Sequence, residues 1–114
     1  MSKTKIALIQ MRMTSEPKKN MLTAIKKIKE ASMKKAKLIC LPELFLSNYF
    51  CQVEKHSNFN LAEKIPGRTT DILSSLAKEL KIIIIVPIFE KKTSGIYHNS
   101  CVVINEKGKI IGKY

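Results

Sequence analysis

The run of residues 82–86 (IIIIV) constrains the fold of this chain more than any other stretch of its sequence. Five consecutive β-branched residues favour a strand over a helix. The run shows no alternation of apolar and polar side chains, and such strands are usually covered on both faces. The sequence therefore predicts a central strand that needs a packing layer on each side.

Two amphipathic segments predict helices that could form one of these layers. Residues 14–17 (TSEP) predict a helix start, because hydroxyl and acidic side chains favour the first turn and proline favours the first helical position. The apolar stripe that follows consists of Met21, Ala24, Ile25, Ile28 and Ala31. We expect Thr69 or Thr70 to cap a second helix, whose predicted buried stripe consists of Ile72, Leu73, Leu76, Ala77 and Leu80.

The other apolar segments predict strands, which gives the order β-α-β-(loop)-α-β-β-β-β and an α/β fold. Residues 5–11 predict an early buried strand, and residues 44–64 predict a long loop with some local helix. Strands are further expected at residues 38–41, at residues 82–86, which Pro87 should end, and at residues 88–92, 95–105 and 109–114. Helical crossovers imply parallel strands early in the chain, whereas turns at residues 93–95 and 105–108 imply antiparallel hairpins later.

The two predicted helices can cover only one face of this sheet, so the IIIIV run lacks its second covering layer. The last predicted strand also runs directly to the final residue, Tyr114. A layered core without one of its layers is typical of a truncated domain. We therefore expect an exposed apolar sheet face and an open sheet edge.

The net charge of +12, from 21 basic and 9 acidic residues, raises the question of a nucleic-acid partner. Only Arg12 and Arg68 are arginines, although the forked guanidinium is the preferred group for phosphates and base edges. The lysines are spread along the chain, which favours a solvated surface over a functional basic patch. We expect no nucleic-acid partner. The longest apolar run is also too short to span a bilayer, so we expect no membrane partner.

The three cysteines, Cys40, Cys51 and Cys101, are odd in number and lack a CxxC spacing, so they indicate neither a disulfide framework nor a zinc site. Reduced thiols in a cytoplasmic protein are the simplest interpretation. The first and the last fall in predicted strands and should be inert core thiols. Cys51 lies in the predicted loop and would need a base and an oxyanion site to act as a nucleophile. His56 and His98 have no evident ligand partner and are expected to be structural or surface residues.

A single carboxylate, Glu43, follows the predicted strand at residues 38–41 in the stretch LICLPELF. Functional groups collect beyond the carboxyl ends of parallel strands. Apolar neighbours on both sides would partly desolvate this carboxyl and raise its pKa, which suits a proton acceptor. The alternative is a loop glutamate that caps a helix or pairs with a lysine. The residues themselves leave both interpretations open.

Several motifs, taken in order, resemble a known family. KIALIQM, then Asn20, then AKLICLPELF resemble the start of the carbon–nitrogen hydrolase domain of the nitrilase superfamily. YFCQ, FNLAEKIPGRTT, LAKEL, FEKK and GIYHNSCVVI look like the N-carbamoylputrescine amidohydrolases and their β-ureidopropionase-like relatives. The resemblance covers nearly the whole chain. It implies a four-layer α-β-β-α sandwich, of which residues 1–114 would be a truncated N-terminal portion, a partial carbon–nitrogen hydrolase domain.

The resemblance also implies a mechanism. Family members use a Glu-Lys-Cys triad without a metal or an organic cofactor, and Glu43 matches the glutamate that acts as general base. The lysine and cysteine do not carry over, because Lys113 belongs to the last predicted strand and no cysteine matches the context of the nucleophile. The chain alone should therefore not hydrolyse a substrate. Tyr49 and Phe50 are expected to border the pocket for a small-molecule carbamoylated amine.

The resemblance leaves a second role open, in which the chain is a non-catalytic fragment. It would pair with a separate chain that supplies the missing layers, or form a homo-oligomer through its exposed sheet face.

Two positions depart from the family pattern. Lys35 stands where glycine usually ends the first helix, so a left-handed conformation there would carry strain. Arg68 replaces a proline after Pro66-Gly67.

Overall fold

The computed structural model describes residues 2–48, 50 and 56–114 of the chain. Its regular elements are β1 (Ile6–Leu8), α1 (Pro17–Met33), β2 (Leu38–Cys40), a 3₁₀ helix (His56–Leu61), α2 (Arg68–Leu80), β3 (Ile83–Thr93), β4 (Ile96–Ile104) and β5 (Ile110–Lys113). Neither α-helix among the described residues has the length and hydrophobicity of a membrane-spanning segment.

The five strands form one sheet in the order β1-β2-β3-β4-β5. Strands β1, β2 and β3 are parallel, and β4 and β5 continue the sheet as antiparallel strands, as the sequence predicts. The predicted turn at residues 105–108 is confirmed, with Gly108 at φ 78°. A Cβ atom on Gly108 would lie 2.7 Å from the backbone oxygen of Ser74, so only glycine lets this turn pack on α2.

Both helices pack on one face of the sheet and share one hydrophobic core with it. The buried faces are those of Ala24 and Ile28 in α1 and of Leu73, Leu76 and Ala77 in α2. The other predicted stripe residues, Met21, Ile25, Ala31, Ile72 and Leu80, are only partly buried. The sheet contributes Ile39, Ile84, Val86, Ile88, Val102 and Ile104 to the same core.

Among the described residues, no α-helix or second sheet lies across the opposite face, and only the rings of Phe50 and Phe59 pack on one end of it. Burial therefore alternates along β3: Ile84 and Val86 are fully buried, whereas Ile83 and Ile85 are only partly buried. The prediction that both faces of this run are covered is thus wrong for the described chain, and the predicted exposed apolar face is present. The prediction of a buried first strand is also wrong, because β1 is an edge strand with Ile6 59% and Leu8 79% exposed.

Pro87 does not end a strand, which corrects the sequence prediction of two separate strands at residues 82–86 and 88–92. Strand β3 runs through Pro87, which pairs with Cys101 of β4. The edge of β3 toward β2 explains this tolerance. On that edge, Ile85 and Phe89 form backbone hydrogen bonds. Pro87 lies between these two residues, where β2 has already ended, so no neighbouring strand needs the N–H that proline lacks.

The helix ends match the sequence predictions only in part. Helix α1 starts at Pro17 as predicted. Thr70 takes part in the cap of α2 as predicted, because its hydroxyl accepts the backbone N–H of Gly67 at 2.8 Å. Helix α2 begins at Arg68 after Gly67, because the Glu63 carboxylate accepts hydrogen bonds from the N–H and hydroxyl of Thr69 at 3.0 and 2.6 Å. A carboxylate from a preceding segment therefore caps the helix. At the C-terminal end of α1, Lys35 adopts the left-handed conformation that the family pattern places there, with φ 72°.

Candidate active site

Glu43 lies in a turn that directly follows β2, and the turn is held by the apolar residues beside it. Leu44 and Phe45 are buried, and Leu44 adopts a positive φ of 51°. A positive φ is unfavourable for a leucine by about 1 kcal/mol or more, so the surrounding packing must maintain it. Because these two side chains turn into the core, the carboxylate of Glu43 points away from it.

A buried asparagine ties this turn to the start of α1. The side-chain amide of Asn20 donates to the backbone oxygens of Thr14 and Leu46, each at 2.9 Å. Its oxygen accepts the backbone N–H and the hydroxyl of Thr14, each also at 2.9 Å. All four hydrogen-bonding positions of this amide are thus used, which makes Asn20 a rigid link between three segments.

The carboxylate of Glu43 has one described partner, and it comes from β4. Asn99 Nδ2 donates a hydrogen bond to Glu43 Oε1 at 2.7 Å, between residues 56 positions apart. Both side chains lie on the sheet face opposite the two α-helices, and both residues are exposed. The expectation of a partly desolvated Glu43 is therefore wrong for this chain, because its apolar neighbours cover the core and not the carboxylate.

Aromatic rings adjoin the Glu43–Asn99 pair on the same sheet face. Phe89 is the register partner of Asn99, and its ring centroid lies 5.8 Å from that of Tyr97. Phe59 stacks on Tyr97 at 4.5 Å. Phe50, one of the two predicted pocket residues, lies 4.9 Å from Phe89 and so joins this cluster. Tyr49, the other one, lies outside the described residues.

A second carboxylate, Glu90, lies on the helix-covered face of the sheet and is buried. It accepts hydrogen bonds from Lys113 Nζ and Ser100 Oγ, both at 2.8 Å, and His98 Nδ1 lies 3.8 Å away. The hydrogen bond from Lys113 lowers the pKa of Glu90 below its ordinary value of 4.5, against the opposing effect of burial. Lys113 lies in β5 as predicted, where this contact links the last strand to β3.

The cysteines are not placed as the sequence predicts. Cys40 and Cys101 are free thiols of intermediate burial on the uncovered sheet face, so they are not core residues. Partial burial, and secondarily the proximity of Cys40, raises the pKa of the Cys101 thiol, which disfavours the nucleophilic thiolate. Cys51 and the His56 side chain lie outside the described part of the structure. Within that part, no group of three or more His, Cys, Asp or Glu residues could hold a metal ion.

Two residues of this region, Asn99 and Glu90, are not identified as candidate site residues by the sequence patterns. The signal for Asn99 was weak, because its contact with Glu43 depends on the turn after β2 reaching across β3 to β4. The alternation along residues 84–90 could have placed Glu90 on the core face, since Ile84, Val86 and Ile88 share its parity.

Comparison with known proteins identifies the family of this chain. The sequence model of the carbon-nitrogen hydrolase family matches residues 5–114. The chain belongs to the carbon–nitrogen hydrolase family. It is 35% identical over 114 residues to an omega-amidase, NIT2-B, from Xenopus laevis, a match that covers 100% of this chain and 40% of that protein. It is 36% identical over 110 residues to an N-carbamoylputrescine amidase from Solanum lycopersicum, covering 96% of this chain and 36% of that protein.

The fold of this carbon–nitrogen hydrolase family member matches a solved relative as well. A carbon-nitrogen hydrolase from Helicobacter pylori superposes with a TM-score of 0.87 at 32% identity. That match covers 95% of this chain and 38% of the solved one. The chain thus has the α/β fold of the nitrilase superfamily, and it spans about 40% of the length of the relatives it matches.

Proposed function

We propose that this chain supplies the general base, Glu43, of a cysteine-dependent amidohydrolase that acts on a carbamoylated amine of the N-carbamoylputrescine type. The observation that carries this proposal is the exposed position of the Glu43 carboxylate. A buried turn at the carboxyl end of a parallel strand holds an accessible carboxylate, and Asn99 orients it from β4. Membership of the carbon–nitrogen hydrolase family supports the reaction class.

Glu43 would act twice in this reaction. It would first accept the proton of a cysteine thiol, so that the S–H bond breaks and the thiolate attacks the carbamoyl carbon. Glu43 would return this proton to the departing amine or ammonia, which leaves an acyl thioester on the cysteine and restores the carboxylate of Glu43. Glu43 would then take a proton from water, whose oxygen attacks the thioester and releases the thiol. A lysine would stabilise the oxyanion in both steps.

The nucleophile and the lysine would come from outside the residues described here. Cys40 and Cys101 lie within strands, and the raised pKa of the Cys101 thiol disfavours a thiolate there. Lys113 is occupied by the carboxylate of Glu90. A longer form of the protein or a separate chain would provide both groups. We also propose a cytoplasmic location, because free thiols persist in reducing compartments.

The substrate class rests on two lines of support. The motifs in residues 49–52, 59–70 and 95–104 resemble those of N-carbamoylputrescine amidohydrolases. One of the similar proteins is named N-carbamoylputrescine amidase, whereas another is named omega-amidase, which makes an ω-amide the competing substrate class.

A graft tests the proposed function. Residues 1–114 would replace the equivalent segment of the Solanum lycopersicum relative, and ammonia release from N-carbamoylputrescine would be measured for the graft and for the chain alone. We expect release by the graft and none by the chain alone. A folded graft without activity, or activity of the chain alone, would contradict the proposal.

The uncovered sheet face favours a second candidate function, in which the chain is a non-catalytic partner for another chain. Ile6 and Leu8 of the edge strand expose most of their apolar surface on that face. An exposed apolar patch of this kind often marks an interaction surface. Association through this face, with a second copy or with a chain that supplies further layers, is the corresponding proposal.

A further inference from the structure

The two oxygens of the Glu43 carboxylate have different surroundings. Oε1 accepts the hydrogen bond from Asn99 Nδ2 at 2.7 Å. Oε2 accepts no hydrogen bond from any residue within 2–48, 50 and 56–114. A carboxylate oxygen that is already engaged by a donor is a poorer site for a proton than its free neighbour. With respect to the described residues, the two oxygens are therefore inequivalent before any substrate is present.

Asn99 is well placed to hold this asymmetry. It lies in the middle of β4, whose ladder with β3 continues on both sides of it, from Ile84–Ile104 to Lys91–Tyr97. Residues on paired strands are held more precisely than residues on loops. Only Nδ2 of the Asn99 amide can donate to a carboxylate, which fixes the amide orientation. A rigid strand thus supports the side chain of a residue in a turn.

We propose that Asn99 is a positioning residue for Glu43, which holds Oε1 and leaves Oε2 as the atom that takes the proton. This inference rests on the proposed function. When the thiol S–H bond breaks, its proton forms an O–H bond with Oε2 and the electron pair stays on sulfur. Asn99 remains a donor to Oε1 throughout. The hydrogen bond thereby limits rotation of the carboxylate and keeps Oε2 directed at the uncovered face.

Kinetics of the active graft test this role. Asn99→Ala removes the donor, and Asn99→Asp removes it with nearly the same shape. Both are expected to lower kcat by about 10- to 100-fold, the typical cost of a misplaced catalytic group. KM should change by less than about threefold, because Asn99 would act on Glu43 and not on substrate affinity. Asn60→Asp, at an exposed asparagine outside this pair, adds the same charge and should leave kcat unchanged.

A measurement on the chain itself separates this inference from the proposed function. In NMR spectra of the 114-residue chain, the side-chain amide of Asn99 should shift as Glu43 becomes protonated, and Glu43→Gln should abolish the response. An Asn99 amide that ignores the protonation of Glu43 would overturn the positioning role, as would full kcat in both Asn99 variants. An inactive graft with a responsive Asn99 amide would instead reject the proposed function and retain the pairing.

Discussion

Asn20 Nδ2 lies 2.9 Å from the backbone oxygen of Leu46, so the start of α1 is bonded directly to the turn that carries Glu43. The same amide makes three further hydrogen bonds to Thr14, and Asn20 is buried. The position of Glu43 therefore depends on a polar link inside the protein as well as on apolar packing.

Replacing Asn20 should destabilise the chain strongly. Asn20→Ala leaves partly buried backbone groups of Thr14 and Leu46 without their partner, which we expect to lower the free energy of unfolding by about 1–3 kcal/mol. Urea denaturation followed by circular dichroism measures this loss. Asn60→Ala, at an exposed site, should change the value by less than about 0.5 kcal/mol. A loss below about 1 kcal/mol for Asn20→Ala would show that water replaces the network.

Lys35→Gly should stabilise the chain. Lys35 lies at φ 72°, and the N–H groups of Lys35 and Ala36 bond to the backbone oxygens of Ser32 and Ala31, the pattern of a Schellman helix end. Glycine relieves the left-handed strain, but it also gains freedom in the unfolded chain, so the net gain is about 0.5–1 kcal/mol.

The neighbouring lysine provides the control for this prediction. Lys34 has a φ of −83°, where glycine relieves no strain, so Lys34→Gly should lower stability by a few tenths of a kcal/mol. The melting temperatures of the two variants should move in opposite directions. A loss of stability in Lys35→Gly equal to that in Lys34→Gly would contradict the strain at Lys35.

Stability should depend on pH through Glu90. Its pKa is lowered in the folded chain by the hydrogen bond from Lys113, so the contribution is complete above the ordinary value of 4.5 and is lost as pH falls through the folded pKa. Glu90→Gln should therefore lower stability by about 1–3 kcal/mol near neutral pH. The difference from the unmodified chain should shrink as the pH falls below about 4.

Thermal melts at a series of pH values measure this prediction. The exposed Glu79 provides the control, since Glu79→Gln should give no such pH-dependent difference. A constant difference between Glu90→Gln and the unmodified chain from neutral to acidic pH would show that the ion pair with Lys113 does not form.

The uncovered sheet face should cause association of the isolated chain. Leu8 on that face is 79% exposed, and Leu8→Lys should shift size-exclusion and light-scattering profiles toward the monomer. Leu22 is 68% exposed on α1, which packs on the other face of the sheet, so Leu22→Lys should have no such effect. A monodisperse monomer of the unmodified chain would argue against a role for this face in binding.

Local patterns in the sequence were sufficient for much of the fold. The helical spacing of Ala24 and Ile28, and of Leu73 and Ala77, identified the faces that pack on the sheet. The IIIIV run identified the central strand, and the presence of only two predicted helices indicated that one face of the sheet lacks a covering layer. These features depend on neighbours a few residues apart, which a sequence displays directly.

Features that depend on distant segments could not be predicted in this way. Pro87 looked like the end of a strand because the sequence does not show that β2 stops beside it. Glu63 adds to the cap of α2 from outside the helix, and the partner of Glu43 is Asn99, 56 positions away. The sequence singles out Glu43 as a candidate by its place after β2 and by family resemblance, but its exposure follows from how Leu44 and Phe45 turn inward.

The most direct test of the role of Glu43 is ammonia release from N-carbamoylputrescine by the graft that carries residues 1–114, compared with its Glu43→Gln variant. If Glu43 is the general base, Glu43→Gln should lower kcat by at least about 100-fold while the variant keeps its melting temperature. Glu79→Gln, an exposed glutamate in α2, should keep full activity. Activity in Glu43→Gln comparable to the unmodified graft would contradict the assignment of Glu43 as the base.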